Sequence, residues 1–205
     1  MNRKMILSIF ATICIIGLAA CTAAPAIKTT SVSSNANSTS TLVCSAGSTS
    51  ASLTPELTEG PYFTANSPER ASLLEDGMKG TKLVITGYVY TTDCKPVANA
   101  LLDFWQADAN GVYDNSGYTL RGHQYTDANG RYQLTTVVPG IYTGRTEHIH
   151  VKVQAPNGSI LTTQLFFPGV ADNNSDGIFD PSLLMAMQDA PDGKTATFTF
   201  VIDTP

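Results

Sequence analysis

The stretch HIHVKVQA, residues 148–155, alternates polar and apolar side chains from end to end. In a β-strand, successive side chains point to opposite sides, so residues i and i+2 share a face. The branched apolar residues would then pack on a core, while His148 and His150 stand together on the opposite face. The stretch therefore predicts a strand with one buried face, and it places two imidazoles side by side.

Five further runs have the composition of strands, because they are short and rich in β-branched and aromatic residues. They are KLVITGYVY (82–90), ALLDFWQA (100–107), RYQLTTVV (131–138), ILTTQLFF (160–167) and TATFTFVI (195–202). Turn sequences such as Asn110-Gly111 and Pro139-Gly140 separate them, and only residues 181–188 suggest a helical turn. This spacing predicts an all-β sandwich or barrel. We expect a single β-sandwich domain of mainly antiparallel strands with long loops.

The first residues, MNRKMILSIFATICIIGLAAC, have the form of a secretory signal. Arg3 and Lys4 precede an apolar run that ends in small residues, and the last four residues resemble a bacterial lipobox. We expect cleavage of residues 1–20 and lipid on Cys21. The protein would then be a membrane-anchored lipoprotein at the cell envelope or the extracellular face. The alternative is an ordinary cleaved signal that happens to contain cysteine.

Residues 21–52 are rich in Ser and Thr and predict a flexible tether, so residues 53–205 would form the domain. The chain has 12 Lys and Arg against 17 Asp and Glu and no basic run, so nothing suggests nucleic-acid binding. After removal of the signal and lipidation of Cys21, Cys44 and Cys94 remain. An even remainder in an oxidising envelope predicts a disulfide between them; two buried free thiols are the alternative.

His148 and His150 are well placed to bind one metal ion, since they face the same side of a strand. Two surface histidines on a half-exposed strand are the alternative. Tyr142 lies on the loop before this strand, and Tyr113 follows a turn after another, so both could bring a phenol to the pair. A phenolate is a hard anion whose free pKa of about 10 calls for a strongly acidic cation. Ferric iron would hold a phenolate in this way better than zinc, and a second phenolate would help further.

With these residues in place, the chain resembles the intradiol ring-cleavage dioxygenases, which include catechol 1,2-dioxygenases and protocatechuate 3,4-dioxygenases. The resemblance runs from about residue 53 to the C-terminus. Its segments are LTEGPYF (57–63), GYVYTTDCKPVANALLDFWQADANGVY (87–113), YTDANGRYQLTTVVPGIY (125–142), GRTEHIHVKV (144–153) and TTQLFF (162–167). The positions of the two remaining cysteines are most similar to the secreted branch of the family.

The resemblance implies a non-haem Fe(III) cofactor bound by Tyr113, Tyr142, His148 and His150. It also implies a catechol-type substrate that displaces Tyr142 from the iron. Both atoms of O2 would enter the ring, giving a cis,cis-muconate-type product with no external reductant. Arg145 matches the arginine of the family motif and would hold positive charge near the substrate as negative charge develops there. Apart from the motif, it could equally be a surface arginine.

Other residues have weaker or competing interpretations. Gln164 matches a glutamine that lies behind the metal in the family, although it could simply satisfy a backbone group. Tyr62 is a candidate for the wall of the aromatic substrate pocket, whereas Trp105 is expected in the core. His123 could supply a third imidazole, but we interpret it as a strand histidine with satisfied partners. The acidic turn 172–177 begins like a calcium loop without the required later glutamate, so we interpret it as a solvated turn.

Two other functions are open on the sequence alone. A non-catalytic transthyretin-like or carboxypeptidase-regulatory-like binding module would cover residues 82–142, but it gives no reason for the histidine pair, Arg145 or Tyr113. A redox-silent protein that binds catechol-type iron chelators would keep the metal without the reaction. The N-terminal helical segment through which soluble catechol dioxygenases form dimers is missing, so a homodimer would have to use the sandwich itself.

Overall fold

A computed structural model describes Cys44, residues 49–142 and residues 144–205. These residues form two four-stranded β-sheets that share one core, so the predicted all-β sandwich is confirmed. The strands are β1 (Lys82–Thr91), β2 (Leu101–Trp105), β3 (Arg121–Tyr125), β4 (Arg131–Val137), β5 (His148–Gln154), β6 (Ile160–Phe166), β7 (Ala186–Ala190) and β8 (Gly193–Ile202). The helical elements of the described residues are two short 3₁₀ helices, Ala171–Asn174 and Pro181–Leu183.

The predicted signal segment 1–20, the lipid site at Cys21 and most of the predicted tether lie outside the described residues. Within the part of the chain that is described, no helix is long and apolar enough to cross a membrane.

One sheet has the strand order β4-β1-β8-β7, and the other has the order β3-β2-β5-β6. All neighbouring strands are antiparallel except β1 and β8, which run parallel. The first and last strands of the domain therefore lie side by side in the middle of one sheet. The whole second sheet is formed by the chain between them.

The two sheets meet through the apolar faces of their strands. Leu83 and Ile85 of β1 are fully buried, and so are Ile149, Val151 and Val153 of β5. All five belong to one continuous core cluster, as the alternation in residues 148–155 predicts. Each such side chain stabilises the fold by about 1.5–3 kcal/mol through its removal from water.

An extended segment, residues 51–67, begins at the first sheet, where the N–H of Thr54 donates to the carbonyl of Val201 on β8, and then covers the outer face of the second sheet; we call it the N-terminal strap. Its backbone joins the sheet where the N–H of Leu57 donates to the carbonyl of Thr162 on β6. It then crosses β5, where Glu59 forms an ion pair with Lys152 at 2.5 Å. Because the strap lies over β5, side chains on that face are withdrawn from water although they point away from the core.

Two strands lack the composition of the others. β3 has the sequence RGHQY and β7 has AMQDA, and neither is rich in β-branched residues. β3 forms because β2 offers it a full antiparallel ladder, and β7 is an edge strand paired with β8. Residues 181–188, expected to form a helical turn, divide between a 3₁₀ helix and the start of β7. At both places strand pairing overrides local propensity.

A disulfide joins Cys44 to Cys94, with their Cα atoms 5.3 Å apart and a sequence separation of 50. Cys94 lies in the turn after β1, with a positive φ of 58°. The structure thus contains a bridge and not two free thiols. It fastens the chain just before the N-terminal strap to the end of β1.

Replacing both bridge cysteines by serine should lower the free energy of unfolding by about 2–4 kcal/mol, because the unfolded chain regains the entropy of an open loop. Urea unfolding followed by the fluorescence of the single tryptophan measures this change. The wild-type protein in a strong reductant should behave like the double variant. Identical unfolding midpoints for the oxidised and reduced proteins would show that the bridge does not constrain the chain.

Candidate metal centre

His148 and His150 point from β5 toward the N-terminal strap, and only 3% and 2% of their surfaces are exposed. Their Nε2 atoms lie 3.1 Å apart. Gly60 of the strap lies against the His150 ring, so closely that a β-carbon there would come within 3.4 Å of it. The pair is internal, and the alternative of two half-exposed surface histidines is wrong.

One backbone contact determines the tautomer of His148. Its Nδ1 lies 2.7 Å from the carbonyl oxygen of Thr146, which can only accept a hydrogen bond, so Nδ1 carries the ring proton. Nε2 of the neutral ring therefore offers a lone pair toward His150. Burial lowers the pKa of His148 to about 4. Burial also lowers the pKa of His150 well below its ordinary value, so both rings are neutral at pH 7.

Tyr113 reaches the pair from the loop that follows β2. Asp108 shapes this loop, because its Oδ1 accepts the backbone N–H groups of Asn110 at 2.8 Å and Val112 at 2.9 Å. The hydroxyl of Tyr113 lies 3.5 Å from Nε2 of His148. Burial raises the pKa of Tyr113, so the phenol keeps its proton unless a cation stabilises the anion.

Tyr142 lies on the loop between β4 and β5, and a glycine brings that loop against the first one. The N–H of Gly140 donates to the carbonyl of Asp108 at 2.7 Å. A β-carbon on Gly140 would lie only 2.6 Å from atoms of the first loop's backbone, so the two loops touch as backbone on backbone. The Tyr142 ring centroid is consequently 5.6 Å from that of Tyr113 and 5.8 Å from that of His148.

Three of the four side chains place their donor atoms at the spacing of ligands to one metal ion, and the Tyr142 ring lies beside them. Two donors about 2.1 Å from the same ion and at right angles would be about 3 Å apart. The two Nε2 atoms have this spacing, and the Tyr113 hydroxyl lies slightly farther from one of them. Among the described residues no three or more His, Cys, Asp and Glu side chains form a cluster that could hold a metal, and the side chains beside the histidine pair that could add anionic donors are the two phenols. Neutral imidazoles with anionic phenolates suit a strongly acidic cation.

Arg145 and Gln164 bind each other beside the histidine pair. Nη2 of Arg145 donates to Oε1 of Gln164 at 2.6 Å, and Nε2 of Gln164 donates to the carbonyl of Thr58 in the strap at 3.0 Å. Gln164 lies opposite His150 in the β5–β6 ladder. Gln164 therefore satisfies a backbone carbonyl, which is one of the two roles expected from the sequence. It also fixes the guanidinium of Arg145 near the histidine pair.

Aromatic rings surround the donor atoms. Tyr62 of the strap stacks on Tyr113 with ring centroids 4.5 Å apart. Trp105 stacks on His150 at 4.7 Å, and Phe63 meets Trp105 edge to face. Trp105 is buried as expected, but it lies on the outer face of its sheet in a separate small cluster with Tyr113. Its ring therefore fixes the plane of the His150 imidazole.

His123 does not join the centre. It lies on β3 opposite Asp103, and its Nδ1 is 2.7 Å from the carbonyl oxygen of Ser67 in the strap. The hydroxyl of Ser67 in turn donates to Asp103 at 2.7 Å. The interpretation of His123 as a strand histidine with satisfied partners is confirmed.

Two residues of the site have no clear signal in the sequence. The acidic turn 172–177, interpreted as solvated, in fact buries the carboxylate of Asp176, whose side chain is 2% exposed. This carboxylate accepts a hydrogen bond from Nε of Arg145 at 2.9 Å. Thr146 supplies the carbonyl that orients His148. An aspartate in a polar turn and a threonine before a strand are too common to stand out.

The metal-free protein should lose stability in mild acid. The pKa of His148 is 6.5 in its ordinary state and about 4 in the fold, so below pH 6.5 the unfolded chain binds more protons. The free energy of unfolding should therefore fall between pH 6.5 and pH 4, by about 3 kcal/mol from this residue alone. Urea unfolding at several pH values tests this. His148→Gln should make the profile shallower, with the buried His150 contributing the slope that remains, while His123→Gln should leave the profile unchanged. A flat wild-type profile would contradict the burial argument.

The contact between the two tyrosine loops predicts that Gly140→Ala weakens metal binding. The added methyl would collide with the backbone of the first loop and move Tyr142 away from Tyr113. We expect a loss of about 10- to 100-fold in affinity in a ferric-iron titration. Gly177→Ala is the matched control, because a β-carbon there would meet nothing within 4 Å. Equal affinities in the two variants would show that the loop contact does not position the phenols.

Comparison with known proteins identifies a family. The family model described as Dioxygenase matches residues 58–203. The dioxygenase domain of a carbohydrate-binding fusion protein from Streptomyces sp. SirexAA-E is 51% identical with a TM-score of 0.74, over 75% of this chain and 100% of that one. Catechol 1,2-dioxygenase 2 of Acinetobacter lwoffii is 37% identical, over 57% of this chain and 52% of the relative. A chlorocatechol 1,2-dioxygenase of Pseudomonas sp. (strain P51) is 30% identical, over 71% of this chain and 68% of the relative.

The chain spans about half the length of the curated catechol and hydroxyquinol 1,2-dioxygenases that it matches. The matched region nevertheless holds all eight strands and every residue of the candidate centre. The chain therefore belongs to the dioxygenase family, and its relatives place it among the intradiol ring-cleavage dioxygenases.

Proposed function

We propose that the protein is a non-haem Fe(III) intradiol dioxygenase that opens a catechol-type ring with both atoms of O2 to give a cis,cis-muconate-type diacid. The observation that carries this proposal is the convergence of two imidazole nitrogens and the Tyr113 hydroxyl in a buried centre, with the Tyr142 ring beside them. A simple binding module has no need of such a buried donor set. The names of the relatives support the same chemistry.

Tyr113, Tyr142, His148 and His150 are the residues that would hold the iron. The chemistry supplied by ferric iron at this place would be Lewis acidity, which would allow a catechol to bind as a deprotonated, electron-rich ring that is open to attack by O2. The protein must keep the donors dry and aligned for this chemistry. The strap keeps water away by covering the histidine pair. The carbonyl of Thr146 keeps the His148 ring aligned and in one tautomer.

The remaining side chains act on the substrate. Tyr142, the more exposed of the two tyrosines, would accept a proton at its phenolate oxygen from an incoming catechol hydroxyl. Arg145 would hold a fixed positive charge near the ring while negative charge develops on it. The ring of Tyr62, stacked against Tyr113, would form an aromatic wall for a flat substrate.

We also propose that the reaction takes place at the cell envelope, with the protein held on a membrane by lipid on Cys21. The lipobox-like sequence at residues 18–21 and the Ser/Thr-rich tether support this location. Catechol-type compounds would then be opened outside the cytoplasm.

The experiment is an oxygen-electrode assay of the iron-loaded protein with catechol, followed by product mass spectrometry under ¹⁸O2. The protein should be red-brown, consume one O2 per catechol and place both labelled atoms in the product. A colourless protein that consumes no O2 would exclude the proposal. A coloured protein without O2 uptake would instead indicate a binder of catechol-type iron chelators.

Tyr113→Phe should remove a ligand and lower kcat at least about tenfold, with loss of visible absorbance. Tyr125→Phe is the matched control, because Tyr125 is 50% exposed on a distant part of the same sheet face and should leave both properties unchanged. Full colour and activity in Tyr113→Phe would show that this phenol does not bind the metal.

A further inference from the structure

We propose that Asp176 is a positioning residue of this centre, through which one carboxylate fixes both Arg145 and the segment that orients His148. The inference rests on the proposed function and adds to it a residue that touches neither the donor atoms nor the expected substrate. It lies in the loop after β6, whose composition suggests only a solvated turn.

The carboxylate of Asp176 is fully engaged. Oδ2 accepts hydrogen bonds from Nε of Arg145 and from the backbone N–H of Thr146, each at 2.9 Å. Oδ1 accepts the backbone N–H of Ile178 at 2.9 Å. With three donors and a side chain that is only 2% exposed, this carboxylate has no role as a solvated calcium-loop ligand.

The contact with Arg145 completes a clamp on its guanidinium. Asp176 holds Nε, and Gln164 holds Nη2 at 2.6 Å and is itself bonded to the strap at Thr58. A guanidinium bound at two nitrogens from two different directions keeps one orientation, whereas an arginine tied only to a neutral amide can rotate about its long side chain. Asp176 thus determines where the positive charge lies.

The contact with Thr146 reaches the histidine. Asp176 holds the N–H of Thr146, and the hydroxyl of Thr146 donates to Oδ1 of Asn173 at 2.6 Å. The carbonyl of the same residue accepts the Nδ1 proton of His148 at 2.7 Å. The loop after β6 therefore fixes the peptide that sets the tautomer and the ring orientation of a metal-binding imidazole.

The test compares Asp176→Asn with Asp172→Asn, a neighbour in the same loop, in the iron-loaded protein with catechol as the probe. Asp176→Asn should lower kcat about 10- to 100-fold and shift the visible band, because the arginine and the imidazole both lose their alignment. Asp172→Asn should stay within about twofold of wild type. Equal kcat in the two variants would overturn the proposal.

A double-mutant cycle separates positioning from general damage. If Asp176 acts partly through Arg145, the double variant Arg145→Gln/Asp176→Asn should lose less kcat than the product of the two single losses, and the loss beyond Arg145→Gln alone reports the contact with Thr146. A loss of kcat in the double variant equal to the product of the two single losses would contradict the proposal.

Asp176→Glu keeps the negative charge on a longer side chain and should fold even if the asparagine variant does not. We expect it to lower kcat several-fold, and wild-type kcat in this variant would also count against the inference.

A measurement on the metal-free protein keeps this inference distinct from the proposed function. The Nε proton of Arg145 is hydrogen-bonded on a side chain that is only 12% exposed, and the Nδ1 proton of His148 is buried, so both should exchange slowly enough to be seen in ¹⁵N NMR spectra. Both signals should broaden or vanish in Asp176→Asn and persist in Asp172→Asn. If the wild-type protein fails to consume O2, the proposed function is wrong, but these signals still decide the role of Asp176. Unchanged signals in Asp176→Asn would overturn it.

Discussion

The centre depends on the alternation of side chains along β5. The strand has apolar residues on its core face and two imidazoles on the other, and a strand with one face in water would leave those imidazoles solvated and mobile. Here the N-terminal strap covers the outer face, so His148 and His150 are as buried as core residues and their Nε2 atoms lie 3.1 Å apart. Burial keeps both rings neutral, which leaves their lone pairs available to a cation.

The other side chains of the centre come from the neighbouring strands of the sheet and from two loops. The sheet delivers Trp105 and Gln164 from the strands on either side of His150, at positions given by the ladder register. Loops deliver Tyr113 and Tyr142, and these loops are held by backbone contact through Gly140. The strands thus fix the nitrogens, while the positions of the phenols depend on the contact between two loops.

The sequence predicts the sandwich and six of its strands, because alternation is a local property, whereas the grouping of the four candidate ligands is implied by the resemblance to the dioxygenase family and not by the local pattern. It does not predict β3 or β7, whose residues form strands only because a neighbouring strand accepts them. It also fails to show that the strap covers β5, since Leu57 meets Thr162 across more than a hundred residues. Asp176 is missed for the same reason: its partners, Arg145 and Thr146, come from a different loop.

The central claim is that ionised tyrosines share one ferric ion with the histidine pair. Resonance Raman spectroscopy of the iron-loaded protein, excited within its visible absorption band, tests this claim directly. The account predicts enhanced ring vibrations of metal-bound tyrosinate, with part of the signal lost on replacement of either phenol by phenylalanine. Stoichiometric iron without any tyrosinate vibrations would contradict it.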